Sequence, residues 1–507
     1  MGLVLDESRC CACDECLRAC PLRPASPAEL AAHCDGSCAQ APCIAACPQG
    51  ALSQAQPGAC GGPAAFGWEL TATPENGYRI PGLEPLGSEE LELAAALKHE
   101  LVERGGNAEA ALGRVCSERG VLVEPEQAQA IARFVRADAE WAGPFGELIA
   151  DERLEEIAVI GAGKPVFVYV ATEGWREANC RFASPGAIAH AANTLAQPLG
   201  RRVTLKNPRL NAVLRDGSRL HATIPPLSEG EMTIRRRRAE PFTPAGLVAR
   251  GAFSADEMAF LWLAVQAGCS LCIAGNTGSG KTSALNALLA FVPPRERILV
   301  IEETPEIAVP HAHCCSLVAR DELGLPLSEL CADALRMRPD RVVFGEARDA
   351  RDAHALFDAL LSGQARACYA TMHARTAAEA CARLASLGIP ERDLSALDLV
   401  AVLRRSARFS GGEFREERRC TEICALSIPP VGPTQLYAEG VPRSHPALKT
   451  RDLSPLKSIR ETFGFSDSAL ERGLCARAAF LSRMARETAG MGEFVSRVHS
   501  FRGGSDA

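Results

Sequence analysis

Eight residues near the middle of the chain, Gly275-Asn276-Thr277-Gly278-Ser279-Gly280-Lys281-Thr282, constrain its fold more than any other stretch. They follow the apolar run Ser270-Leu271-Cys272-Ile273-Ala274 and open an apolar segment from Lys281 to Val292 that Pro293-Pro294 stops. The spacing predicts strand, loop, helix. Glycines in such a loop let successive N–H groups converge at a helix N-terminus, where the helix dipole also favours negative charge. The segment therefore has the form of a phosphate cradle, with Lys281 reaching the β- and γ-phosphates and Thr282 ligating Mg²⁺. ATP with Mg²⁺ is the ligand this chemistry implies.

Hydrolysis of a bound triphosphate needs a carboxylate at a strand end to aim a water and take its proton. Two places downstream offer one. Arg297-Ile298-Leu299-Val300-Ile301 runs into Glu302-Glu303-Thr304-Pro305-Glu306, and Val342-Val343-Phe344 runs into Gly345-Glu346-Ala347-Arg348. Either acid taken alone also reads as a cap for the following helix. A third apolar run, Cys368-Tyr369-Ala370-Thr371-Met372, ends in His373, placed to sense the γ-phosphate.

After Pro241 the pattern repeats apolar strand, loop and helix, the rhythm of a parallel sheet with crossover helices. Upstream, short β-like runs (Ile157 to Ile160, Val166 to Val170, Leu210 to Leu214) surround a helical stretch from Ala187 to Ala196, which predicts a compact α+β domain over 146–240. Helix formers at helical spacing predict a small helical region over 88–145, and the Pro/Gly-rich residues 54–63 predict a linker over 55–87. A parallel α/β domain carrying the phosphate loop is expected over 241–390 and a mostly helical C-terminal subdomain over 391–507. The fold class is thus α/β, an α+β N-terminal domain followed by a P-loop domain.

The combination of the phosphate loop, Ile301-Glu302-Glu303-Thr304-Pro305-Glu306, Leu335 to Arg348 and Thr371-Met372-His373-Ala374 resembles the Walker A, Asp, Walker B and His boxes of the secretion superfamily ATPases. That family powers type II and type IV secretion, type IV pili and the archaeal flagellum. The likeness extends upstream through Asp151 to Ile157, Leu214 to Arg219 and Met232 to Arg236, and there it is nearest the archaeal branch. The resemblance implies a two-lobed subunit, an α+β N-terminal domain and a RecA-like ATPase domain over 241–390, in a homohexameric ring with ATP between lobes and subunits. It further implies that Glu346 polarises the attacking water, that Glu302 and Glu303 assist metal and water, and that His373 meets the γ-phosphate side. Arg219, Arg235 and Arg236 match arginines of the family's N-terminal domain that neutralise charge in the transition state; a solvated basic face is the other reading of that run. Glu303 stands where the family usually has Asp, one methylene shorter. Only Cys420 and Cys424 occupy the part where some members carry four zinc-binding cysteines, so no zinc is expected there.

Ten of the 22 cysteines lie between Cys10 and Cys60. Without a secretory signal in Met1 to Glu7, that crowding reads as metal or cluster ligation rather than disulfides. Cys10, Cys13, Cys16 and Cys20-Pro21 reproduce the C-x2-C-x2-C-x3-C-P run of bacterial ferredoxins, and Cys34, Cys38, Cys43 and Cys47-Pro48 form a second run. The pair resembles a ferredoxin-like module over 1–54 with two [4Fe-4S] clusters. In that arrangement Cys10, Cys13, Cys16 and Cys47 hold one, and Cys34, Cys38, Cys43 and Cys20 the other. Zinc or ligand-free thiols are the competing readings, and the wider spacing at Cys34/Cys38 makes the second cluster the weaker of the two.

A formal charge of -7 lacks the basic excess of a protein that neutralises rows of phosphates, so nucleic acid is not an expected partner. No apolar run approaches the ~20 residues that span a bilayer. Together with the family resemblance, these features imply a cytoplasmic, membrane-peripheral motor. It would hydrolyse ATP to assemble or secrete type IV pilin-like subunits through a polytopic membrane platform protein. A type IV secretion or conjugation ATPase, or a redox-responsive nucleotide-binding regulator, is the alternative.

Overall fold

The computed structural model describes residues 3–5, 52–54, 66–171, 173–237, 240–320, 323–410, 413–427, 432–438, 453–487 and 489–501. Its internal contacts divide the chain into two units, 1–238 and 239–507. The eight cysteines from Cys10 to Cys47 assigned to clusters lie outside the described residues. The segment bearing them is bracketed by two short strands, β1 (Leu3–Leu5) and β2 (Leu52–Gln54), which pair antiparallel.

The remainder of the first unit is a seven-stranded sheet with helices. Strands β3 (Trp68–Leu70), β4 (Leu154–Val159), β5 (Pro165–Val170), β6 (Gly174–Phe182), β7 (Arg209–Val213), β8 (Arg219–Thr223) and β9 (Glu231–Arg235) lie in the order β3-β6-β5-β4-β9-β8-β7. Every pairing in this sheet is antiparallel. Helices α1 (Ser88–Arg104), α2 (Ala108–Arg119), α3 (Pro125–Trp141), α4 (Phe145–Ala150) and α5 (Pro185–Ala196) complete it. The sequence predicts a linker and then a separate helical region before the sheet. Instead one core joins Phe66, Trp68, Ile80 and Leu83 to Leu97 and Phe134 of the helices and Val168 and Ile234 of the sheet. Trp68 explains the difference. Its strand is only three residues long, too short for periodicity to register, yet its ring stacks on Phe134 at 4.5 Å and its indole N–H donates to Asp138 at 3.0 Å. Burial of one aromatic pair fastens the segment to the helices.

The second unit is an α/β sandwich around an eight-stranded sheet of order β12-β11-β13-β14-β10-β15-β16-β17. The strands are β10 (Leu271–Gly275), β11 (Ile298–Glu302), β12 (Cys314–Val318), β13 (Arg341–Phe344), β14 (Ala367–Met372), β15 (Leu399–Ser410), β16 (Glu413–Ser427) and β17 (Gly432–Ala438). The first six strands in the spatial order are parallel, and the last two antiparallel. Alternate residues of each central strand serve opposite cores. Ile273, Val300, Val343 and Tyr369 face one cluster, while Cys272, Ala274, Leu299, Ile301, Phe344 and Met372 face the other. A strand buried on both faces reads as an unbroken apolar run, which is why these were legible.

Helices α6 (Pro244–Ala249), α7 (Ala255–Ala267), α8 (Lys281–Leu289), α12 (Ser454–Phe463), α13 (Asp467–Met484) and α14 (Met491–Ser500) cover the first face. Helices α9 (Leu327–Arg336), α10 (Ala350–Leu361) and α11 (Ala377–Ser386) cover the second.

The C-terminal region differs from its expected, mostly helical form. Strands β15 and β16, of 12 and 15 residues, extend the central sheet rather than forming a short hairpin piece. Residues 404–419 are dominated by Arg and Glu, and that composition hides the strand pattern. The pairing of Leu399 through Leu403 with β10 supplies what local propensity does not.

At the start of β13, Arg341 is fully buried. It is ion-paired with Glu296 and donates to the Tyr369 hydroxyl at 2.7 Å, while Arg366 holds the other Glu296 oxygen at 2.8 Å. Removing the carboxylate strands a buried cation. Glu296→Ala is therefore expected to cost about 3–5 kcal/mol of stability, measured by urea unfolding; a cost below about 1 kcal/mol contradicts the assignment.

Candidate functional site

The loop between β10 and α8 sits at the C-terminal end of the central strand, flanked by β14 and β15. Its geometry requires glycine at the first position. A Cβ on Gly275 would lie 2.4 Å from both the Leu403 carbonyl oxygen and the Ser279 hydroxyl, so the loop leaves the strand too close to β15 for any side chain. Asn276 and Thr277 are exposed at the apex, and Ser279 is buried with its hydroxyl lacking a hydrogen-bond partner among the described residues. Lys281, the first residue of α8, is almost wholly buried. Its ammonium donates to the carbonyls of Gly275 at 3.2 Å and Asn276 at 3.4 Å and lies 3.3 Å from Nδ1 of His373. A buried cation among carbonyl dipoles and an imidazole, beside an unsatisfied hydroxyl and a helix N-terminus, fits a phosphate group.

The structure brings Glu346, Glu303 and His373 to this loop in one chain of polar contacts. His373 Nε2 lies 2.9 Å from Oε1 of Glu346, the other Glu346 oxygen accepts from Arg348 Nε at 2.9 Å, and Arg348 is also ion-paired with Glu303. Strand ends explain the convergence. β11 ends at Glu302, β13 at Phe344 and β14 at Met372, and neighbouring parallel strands deliver their exits to one rim. The Thr371 hydroxyl donates to Gly345 O at 2.6 Å, and Ala347 N donates back to Thr371 O at 3.0 Å, which ties the Glu346 turn to the His373 strand.

Glu302 also supports the backbone of its own loop. It is buried, and its Oε1 accepts from the backbone N–H groups of Glu306 and Ile307, both at 2.9 Å, so that it shapes the loop after β11. That loop presents Glu306, whose carboxylate accepts from the Thr282 hydroxyl at 3.1 Å. Two site residues are therefore additions to the sequence-based set. Arg348 and Glu306 stand within the quoted motifs, and their spacing from Glu346 and Glu302 was the available signal; only the folded loops show what they touch.

The three arginines of the first unit are described within it alone. Arg219 and Arg235 stand opposite each other on β8 and β9. Arg236 directs its guanidinium to the carbonyls of Ile149 at 2.6 Å and Leu154 at 2.8 Å, and also to that of Asp151. It ties α4 to β4, a structural role.

A parallel sheet carrying this loop, with acids and a histidine at adjoining strand ends, defines a RecA-like P-loop nucleotide-binding domain. The chain belongs to the family described as "Type II/IV secretion system protein", whose model matches residues 138–423. A putative conjugal transfer protein of Mycobacterium tuberculosis is 33% identical over 314 residues, covering 58% of this chain and 87% of that protein. An uncharacterized protein of Methanocaldococcus jannaschii is 38% identical over 229 residues, covering 42% of this chain and 31% of that protein. The chain thus spans about a third of that archaeal relative's length. Among solved structures, the Legionella pneumophila ATPase DotB is similar over 70% of this chain and 94% of its own, at 18% identity and a TM-score of 0.42.

Burial first, and then the Lys281 ammonium, hold the His373 imidazole below the ordinary histidine range, with Glu346 opposing them. The ring is therefore neutral at neutral pH. Its Nδ1 lies 3.3 Å from the Lys281 ammonium and its Nε2 2.9 Å from a Glu346 oxygen, so the ring stands between the cation and the carboxylate. Because the unfolded state takes up this proton first, stability falls as pH drops through the window between the ordinary value and the depressed one. In NMR titration His373 is expected to titrate below the ordinary histidine value, and Lys281→Met to move its midpoint up. A midpoint at or above the ordinary value in the unmodified protein contradicts the arrangement.

Proposed function

We propose that this chain is a motor ATPase, hydrolysing ATP with Mg²⁺ to drive the assembly or secretion of type IV pilin-like subunits through a polytopic membrane platform protein. The observation that carries the reading is the continuous chain Lys281–His373–Glu346–Arg348–Glu303 around the phosphate loop. It links the residues that would grip a triphosphate to those that would act on water.

The residues divide the work as follows. Gly275 to Gly280 offer backbone N–H groups to the phosphates, and Lys281 turns its ammonium from the loop carbonyls to the β/γ oxygens. Bound Mg²⁺ would neutralise charge on the β- and γ-phosphates, with Thr282 as its ligand and Glu306 behind the hydroxyl. Glu346 orients the water and accepts its proton as the oxygen attacks the γ-phosphorus and the bond to ADP breaks. His373, neutral and beside Glu346, would report γ-phosphate occupancy to that carboxylate. Arg219 and Arg235 are the N-terminal-domain arginines proposed to meet charge developing in the transition state.

Family membership supports a homohexamer as the working assembly, acting peripherally at the cytoplasmic face of the cell membrane. Among the described residues no helix is long and apolar enough to cross it, so the platform would supply the membrane contact. A conjugation or type IV secretion ATPase is the second reading, favoured by the likeness to the mycobacterial putative conjugal transfer protein along 87% of that protein.

For the N-terminus we infer two [4Fe-4S] clusters on Cys10, Cys13, Cys16 and Cys47 and on Cys34, Cys38, Cys43 and Cys20. The two ferredoxin-type runs support it, as does the pairing of β1 with β2, which brings the ends of the cysteine-bearing segment together.

Purified protein is expected to hydrolyse ATP, and Lys281→Ala to lose nearly all turnover in a phosphate-release assay; full turnover in the variant rejects the site. Anaerobically purified protein is expected to show broad visible absorbance that dithionite bleaches. A colourless, zinc-containing protein overturns the clusters.

A further inference from the structure

The phosphate loop is bolted to a two-stranded ribbon. β10 pairs with β15 up to Gly275 opposite Leu403, which is where the loop begins. Beyond that point β15 pairs with β16 alone among the described residues, from Arg404 opposite Arg419 to Ser410 opposite Glu413. The ribbon leaves the sheet beside the loop and grips it at three points. The Asn276 side chain both accepts from and donates to the Arg405 main chain, at 3.0 Å and 3.1 Å. Arg418 Nε donates to the Gly278 carbonyl at 2.9 Å. Arg405 lies against Gly278, where a Cβ would meet its Nη1 at 2.8 Å. Gly278 also has φ +73°, a backbone conformation that strains any L side chain.

Arg405 and Arg418 stand directly opposite each other on paired strands. Like charges at such a position oppose sheet formation. Glu416, opposite Ala407, offsets part of this by accepting from Arg405 Nε at 3.0 Å. Two guanidinium groups kept side by side against an anion-binding loop, in a chain of net charge -7, are placed where a polyphosphate uses them.

We propose that the β15–β16 ribbon clamps the phosphate loop in its binding conformation, with Arg418 and Arg405 as positioning residues for the polyphosphate of ATP; this rests on the ATPase reading above. Arg418 acts through Gly278. By holding that carbonyl outward, it keeps the adjoining loop N–H groups turned toward the phosphates, so binding is favoured more than the chemical step.

The test uses the full chain. Arg418→Ala is expected to raise the KM for ATP, and the Kd of a fluorescent ATP analogue, on the order of tenfold, with kcat within about twofold and an unchanged thermal midpoint. Arg418→Lys, whose ammonium can donate to the same carbonyl, is expected to recover most of the affinity. Hydrogen exchange of the Gly278 to Gly280 amides is expected to speed up in Arg418→Ala without nucleotide. Unaltered KM and exchange overturn the clamp, as does a loss confined to kcat or one matched by a lowered thermal midpoint. If the unmodified protein neither binds nor hydrolyses ATP, the ATPase reading fails; accelerated exchange in Arg418→Ala would still report the mechanical clamp.

Discussion

The ammonium of Lys281 is the point around which the second unit is arranged. A buried lysine is costly unless polar groups surround it, and here two loop carbonyls and one imidazole do so. The carbonyls are available because the loop leaves β10 at a position no side chain can occupy, and the imidazole because β14 ends alongside. His373 then fixes Glu346, and Glu346 shares Arg348 with Glu303. Each link is modest by itself, since partly exposed ion pairs contribute about 0–1 kcal/mol. Together they join four loops, so that a phosphate drawing Lys281 away from His373 would disturb the surroundings of the carboxylate proposed to handle water.

Rigidity under this rim comes from the double-sided core. Every central strand gives alternate residues to two apolar clusters, so a shift of one strand disturbs helices on both faces. At the other end of the strands, the buried Arg341–Glu296 pair and the Tyr369 hydroxyl fix the starts of β13 and β14. The candidate site therefore sits on exits from strands whose origins are held.

The sequence carried the loop, the three following strand ends and the acids and histidine at them, because a fully buried parallel strand is an uninterrupted apolar run with few alternatives. It carried less at the edges. Trp68 fastens a segment that reads as a linker, since a three-residue strand has no periodicity and its stability comes from Phe134, 66 positions away in the chain. The Arg- and Glu-rich stretch from Arg404 to Arg419 reads as solvated surface, and becomes strand because β10 and β16 supply its pairing. Among the site residues, Glu302 lies where its motif puts it but serves the backbone of its own loop, while Glu306 takes the position on Thr282.

What the sequence determined by itself was local: which eight residues form a phosphate loop, which strands feed it, and which residue types stand at their ends. Backbone sterics and burial fix these within a few residues. The tertiary structure alone decided which carboxylate meets which cation, that Arg236 supports carbonyls of its own unit, and that Arg418 reaches Gly278 across 140 positions. Side-chain partnerships of that kind depend on angles accumulated over the whole sheet, and spacing along the chain does not encode them one residue at a time.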